Sequence, residues 1–286
     1  MAIITVSFTY TGAVQTFTVP VGQIGNITVN AWGGGGGGGG GAAGGGGGFV
    51  TLTFAATAGQ QFNIGVAAGG IPATTIDGSP RAYIGGGQSS WNSISRFGGG
   101  GGGASYVALS TTPNSPLVVA GAGGGGGDAP AGFGGSVLAT GLGGSGSAAG
   151  FGGGATQSAG GSATAPATAG SSFVTNSTTT GGNADLASTQ GAGGGGAGYW
   201  GGGGAIQGAG GGAGSSYYAN VGGAGTYNTY NGANSVAAAG WVSGLGQGGA
   251  ATVAGNAGRV TITYTSTLPT FTIGPGWSMG PGFTIS

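Results

Sequence analysis

Hydrophobic and polar residues alternate from the start of the chain. Ile4, Val6, Phe8 and Tyr10 are interleaved with Thr5, Ser7 and Thr9, the period-two pattern of a strand with one buried face. Thr11-Gly12-Ala13 supplies a turn, and Val14 to Val19 predicts a second strand ended by Pro20. Ile24, Ile27, Val29 and Ala31 predict a third, running to Trp32. The pattern resumes over 49–54 and, after Ala58-Gly59, over 61–66, two segments expected to form a hairpin with a short turn. Further strands are predicted over 104–109 and 116–120. The last, Gly258 to Tyr264, is expected to pair with the opening strands and close the domain. No helical period is present, so the fold is expected to be all-β.

Glycine fills the spaces between these segments. Gly33 to Gly48 is broken only by Ala42 and Ala43, and runs recur at Gly98 to Gly103 and Gly123 to Gly127. Strand and run alternate three times in a strand-rich part, 1–127. A Gly/Ala/Ser-rich insert over 128–257 and the closing strand 258–264 complete one domain, 1–264, and a tail, 265–286, follows. Glycine makes up 83 of 286 residues, against a usual ~7%. Nine consecutive glycines break the Gly-X-Y repeat that collagen needs. A disordered linker does not carry 9% aromatic and 38% hydrophobic residues.

Ordering glycine costs on the order of 1–2 kcal/mol per residue and returns no side-chain burial. A long run therefore stays ordered only if its N–H and C=O groups find partners. Polyglycine II helices meet this condition: they have three residues per turn, no internal hydrogen bonds, and bond sideways to neighbours. Loose loops are the alternative. The number of runs of similar length, each joined to a strand, points to a bundle inserted between strands.

Charge narrows the function classes. The chain holds only Asp77, Asp128, Asp185, Arg81, Arg96 and Arg259, and has no Lys, Glu, His or Cys. Most groups that perform acid–base or nucleophilic chemistry are missing, which argues against an enzyme. Zinc sites and disulfides cannot form, and three Asp residues are a poor metal cage. No cofactor is expected. Three Arg residues cannot neutralise a run of phosphates, so no nucleic-acid partner is expected. The Gly/Ala runs lack the large aliphatic residues of a membrane span. Residues 1–19 are uncharged and alternate, so no secretory leader is expected.

The order of certain pieces carries a resemblance. Tyr10-Thr11-Gly12-Ala13-Val14-Gln15-Thr16-Phe17-Thr18-Val19-Pro20 is followed by Ile27-Thr28-Val29-Asn30-Ala31-Trp32 and the first glycine run. Gly48-Phe49-Val50-Thr51-Leu52, Gly59-Gln60-Gln61-Phe62, Gly101-Gly102-Gly103-Ala104-Ser105, Leu117-Val118-Val119-Ala120-Gly121-Ala122-Gly123-Gly124 and Gly255-Asn256-Ala257-Gly258-Arg259-Val260-Thr261-Ile262 follow in turn. Over about residues 3–264 the series resembles the glycine-rich domains of microbial and viral surface proteins. It is similar also to the extracellular glycine-rich domain of the anaplastic lymphoma kinase receptor family. The resemblance implies a tumour-necrosis-factor-like β-sandwich with an inserted polyglycine II helix bundle. The receptor's cysteines and membrane span have no counterpart here, so its role is not carried over.

Two segments are candidates for contact with partners. Tyr217, Tyr218, Tyr227 and Tyr230 fall within 14 residues among Ser, Gly and Asn, the composition of adaptable binding loops. They are expected either to bind, with host surface glycans among the ligands, or to cap the glycine bundle. The tail carries Phe271, Trp277, Met279 and Phe283 between two Gly-Pro-Gly units. It is expected to dock on another subunit as an assembly element, the alternative being that it folds back on its own domain. A chain with so little charge has little repulsion between copies, which suits a homo-oligomer or a mixed assembly. The function expected is that of a non-enzymatic structural protein of a virion, such as a fibre, spike or capsid-surface component contacting the host. The alternative is a microbial extracellular surface, filament or adhesin protein.

Overall fold

Period-two alternation gives the first strand its two faces. In β1 (Ala2–Phe8), Ile4, Val6 and Phe8 turn toward the core, and Ile3, Thr5 and Ser7 are exposed. The computed structural model describes residues 1–75, 77–93, 95–129, 134, 150–173, 180–221, 224–228 and 242–267, with only the backbone at 24 and 224–228. Among these residues the chain is all-β, with no helix. The remaining strands are β2 (Gln15–Thr18), β3 (Gln23–Trp32), β4 (Phe49–Ala55), β5 (Gln61–Gly65), β6 (Trp91–Ser93), β7 (Arg96–Phe97), β8 (Ser105–Leu109), β9 (Pro116–Ala120), β10 (Tyr217–Tyr218), β11 (Ala224–Asn228) and β12 (Arg259–Ser266).

Two five-stranded antiparallel sheets form, ordered β1-β12-β3-β4-β11 and β10-β9-β8-β5-β2, with β6 and β7 in a small third sheet. The last strand lies between the first and third: Val260 faces Phe8, and Arg259 faces Trp32. It extends past the expected end, because Thr265 and Ser266 still pair with Ile3 and Ala2 on one side and with Ile24 and Gln23 on the other. Val29, Leu52 and Ile262 of one sheet and Phe62, Ile64, Val107 and Val118 of the other are fully buried in one shared core. Phe54 and Phe62 meet edge to face at 5.8 Å, and Phe8 and Phe17 at 6.3 Å. Inner faces that share one core are consistent with a β-sandwich.

The expected 49–66 hairpin does not form. β4 pairs with β3 and β11, whereas β5 pairs with β2 and β8 in the other sheet. Both segments carry a row of large apolar residues. Crossing between sheets sets Phe54 against Phe62 across the core, where each ring buries the other. Side by side in one sheet, the two rows would still need a second layer.

The glycine runs leave the strand ends and bond sideways. Gly33, Gly36 and Gly39 donate to Gly48, Gly45 and Ala42; Gly34, Gly37 and Gly40 donate to Gly103, Gly100 and Phe97; Gly35 and Gly38 donate to Asn256 and Val253. Each neighbour is thus addressed by every third residue. The run at 98–103 follows the same rule: Gly98 and Gly101 donate to Ser90 and Gly87, Gly99 and Gly102 to Gly126 and Gly123, and Gly100 and Gly103 to Ile71 and Ala68. Gly193 and Gly196 donate to Ala209 and Gly212, and Gly201 and Gly204 to Ser171 and Thr168. These bonds measure 2.7–3.0 Å, full-strength geometry for N–H···O. Most of the glycines are buried, so the backbone itself makes up much of this interior.

A second apolar cluster joins the two regions on the outer face of the second sheet. Tyr106, Val119 and Tyr217 are in register across β8, β9 and β10. They share this cluster with Ile84, Ala122, Phe173 and Ala197 from the glycine-rich segments.

Candidate functional site

The tyrosines at 217 and 218 sit on the edge strand of the second sheet, opposite Val119 and Val118. Period two sends their rings to opposite faces. Tyr218 packs on the main core, and Tyr217 packs on the outer cluster. Both are half-buried. Tyr217 stacks on Tyr199 with ring centroids 4.0 Å apart and planes 11° from parallel.

Tyr199 and Trp200 interrupt two glycine runs, and their backbones are pinned. The Tyr199 amide donates to Ser215 O at 2.9 Å, and the Trp200 amide to Ser215 Oγ at 3.1 Å. The Ser215 amide returns a bond to Trp200 O at 2.9 Å. On the other side, Phe173 donates to Tyr199 O at 2.7 Å, and Ser172 bridges to Trp200. Phe173 in turn meets Tyr106 edge to face at 5.3 Å. The aromatic wall is therefore held by backbone hydrogen bonds and by a buried ring behind it.

This wall borders a groove of about 440 Å³, within the range of small-molecule sites. Phe173, Tyr199, Trp200 and Tyr217 line one part; Leu109, Thr112, Asn114, Ser115 and Leu117 of the β8–β9 connection and its flanks line another. Thr112, Asn114, Ser115 and Ser172 are exposed at its rim. No residue lining it carries a charge. Burial pushes the Tyr217 phenol above its ordinary pKa, and Tyr199 beside it adds to the effect, so the ring stays neutral through physiological pH. The described charged residues lie elsewhere. Burial lowers the Arg81 pKa. Burial also raises Asp128, opposed by the Gly191 amide, Arg96 and its own amide. Among the described residues no three His, Cys, Asp or Glu side chains gather as metal ligands, and no helix is long and apolar enough to cross a membrane.

The sequence candidates are only partly brought together. Tyr217 is in the groove. Tyr218 points to the other face. Tyr227 lies on β11, opposite Val50 at the edge of the first sheet, and β11 approaches β10. Tyr230 lies outside the described residues, as do Phe271, Trp277, Met279 and Phe283 of the tail. Tyr199, Trp200 and Phe173 were not among the candidates. Two adjacent large rings set between Gly193–Gly196 and Gly201–Gly204 were the available signal. No family model matches this chain, and no curated protein matches it.

Proposed function

We propose that this chain is a non-enzymatic structural protein of a virion, a fibre, spike or capsid-surface component that touches the host. The observation that carries the proposal is the three-residue period of lateral hydrogen bonds between glycine runs. It supports a tumour-necrosis-factor-like sandwich with an inserted polyglycine II bundle, because three residues per turn is the pitch of that helix. Such a body is stiffened by backbone alone and needs no charged or reactive side chain. That suits a rigid part that presents surfaces at its edges rather than a part that performs chemistry. With six charged residues in 286, repulsion between copies is weak, which favours close assembly with copies of itself or other virion proteins. Rigid aromatic side chains on an ordered platform suit recognition of a partner. Antibody-gold labelling of purified particles and of cell envelopes tests the proposal. Labelling of particles is expected; labelling confined to envelopes would replace it with a microbial surface or filament protein, and labelling of neither would refute both.

A further inference from the structure

We propose that the groove at Phe173, Tyr199, Trp200 and Tyr217 binds an uncharged saccharide. The site stands on its own chemistry; only the source of the sugar, a host surface, rests on the surface reading above.

The groove is both aromatic and hydroxyl-rich, and it is uncharged throughout. Burying a carboxylate, sulfate or ammonium there would leave it without a counter-charge, so the ligand is neutral. A fully apolar ligand would leave the donors and acceptors of the rim unused. The carbonyl and amide of Asn114 and the hydroxyls of Thr112, Ser115 and Ser172 offer both donors and acceptors. A pyranose matches this mixture. One face of the ring is a plane of C–H bonds that rests on the electron-rich face of an indole or phenol, and its rim is a ring of hydroxyls. The Trp200 indole N–H and the Tyr199 and Tyr217 hydroxyls make no hydrogen bond within the described residues, so they are available to a ligand.

The geometry also separates this ligand from a proline-rich peptide. Such peptides seat prolines in slots between aromatic ridges. Here the slot between Tyr199 and Tyr217 is closed, because the two rings are already in stacking contact at 4.0 Å. The platform is also preorganised. Backbone bonds to Ser215 and Phe173 fix Tyr199 and Trp200 before any ligand arrives, which lowers the ordering cost of weak sugar binding.

The full chain is tested on an array of neutral hexose and N-acetylhexosamine oligosaccharides, sialylated and sulfated oligosaccharides, and a proline-rich peptide, at low and high salt. Retention on neutral sugars, insensitive to salt, is expected. Trp200→Ala and Tyr217→Ala should each weaken retention about tenfold or more. Tyr217 also packs on the outer cluster, so Asn114→Ala on the exposed turn serves as the second variant: it should weaken retention while leaving thermal unfolding unchanged. Val253→Ala, outside the groove, should change neither. Retention on acidic sugars only, on the peptide only, or on nothing would overturn the proposal. So would neutral-sugar retention that survives all three groove substitutions. Gold labelling distinguishes the two readings: sugar binding by a protein absent from particles and envelopes removes the surface reading alone, and a surface protein that retains no sugar removes the groove assignment alone.

Discussion

Replacing Gly101 by alanine tests whether the glycine runs pack backbone against backbone. A Cβ on Gly101 would collide with Gly195 O and would lie 2.9 Å from Gly196 N. Relieving the clash requires the 193–197 segment to withdraw by roughly 1.5 Å, since a carbon rests about 3.5 Å from its neighbours. That segment is held to the same run by Gly194 N to Gly99 O and Ala197 N to Gly102 O, both at 3.0 Å. Lengthened beyond about 4 Å, neither remains a hydrogen bond. Each buried group left unsatisfied costs about 1–3 kcal/mol, while alanine returns about 0.4–1 kcal/mol by restricting the unfolded chain. Two broken bonds strand four groups, so even at the low end of that range the net loss is at least about 3 kcal/mol, a large part of a typical 5–15 kcal/mol stability and roughly 5 °C or more in Tm for a chain of this length. Gly40 is the control: it is half-buried, and a Cβ there meets Ser95 O at 3.0 Å and Phe97 O at 3.6 Å. Gly40→Ala should stay within about 1 kcal/mol of the parent, the entropic gain offsetting the tight contact. Urea and thermal unfolding followed by circular dichroism read both. Equal Tm values for Gly101→Ala and the parent, or equal losses for the two variants, would refute close packing of the runs.

Three further outcomes are expected. Phe62→Ala should cost about 3–5 kcal/mol, read from the urea midpoint, because Phe62 is fully buried against Phe54 at the centre of the sandwich. Burial and the neighbouring Tyr83 hold the Tyr106 phenol well above its ordinary pKa, so its contribution is complete below the unfolded value of about 10 and is lost as pH rises above it. The urea midpoint should fall above about pH 10, and less steeply in Tyr106→Phe; a midpoint unchanged there would contradict the buried neutral phenol. Deleting 268–286 should leave Tm unchanged, since β12 is paired on both sides up to Ser266, but should abolish self-association in analytical ultracentrifugation; normal association would remove the tail from assembly.

What the sequence made legible follows from which side chains carry the information. The alternating strands were readable because burial on one face writes itself into every second residue: Val29, Leu52 and Ile262 all fall where the pattern puts them. Sheet membership was not readable for 49–66, because an apolar row does not say whether it faces a neighbour in its own sheet or a second layer. The aromatic groove was half legible. Tyr217 was flagged by composition, but Tyr218 beside it could not be separated from it without the register that sends the two rings to opposite faces. Tyr199 and Trp200 come from a different run, and glycine sequences carry no side-chain pattern to say which runs are neighbours. That information lies in backbone bonds such as Tyr199 N to Ser215 O.

The same backbone bonds explain how sequences without side-chain instructions acquire a fixed arrangement. The ladder between β3 and β4 ends at Trp32 opposite Phe49 and then continues as Gly33 to Gly48, Gly36 to Gly45 and Gly39 to Ala42. At that point the spacing between bonds to the same neighbour becomes three residues. β12 does likewise: Arg259 pairs with Trp32, and beyond it Gly35 and Gly38 donate to Asn256 and Val253. The first lateral bond of these runs is thus set by the register of strands that hydrophobic burial has already fixed. Glycine alone could not select a neighbour, since every run offers the same groups at the same spacing, and ordering an isolated run is unfavourable. The sandwich removes this degeneracy by delivering the runs in a fixed order, after which each added lateral bond orders the next residue. Substitutions in the sandwich core should therefore unfold the glycine-rich region as well, whereas a clash deep in that region, as at Gly101, need not release β1, β3 and β12.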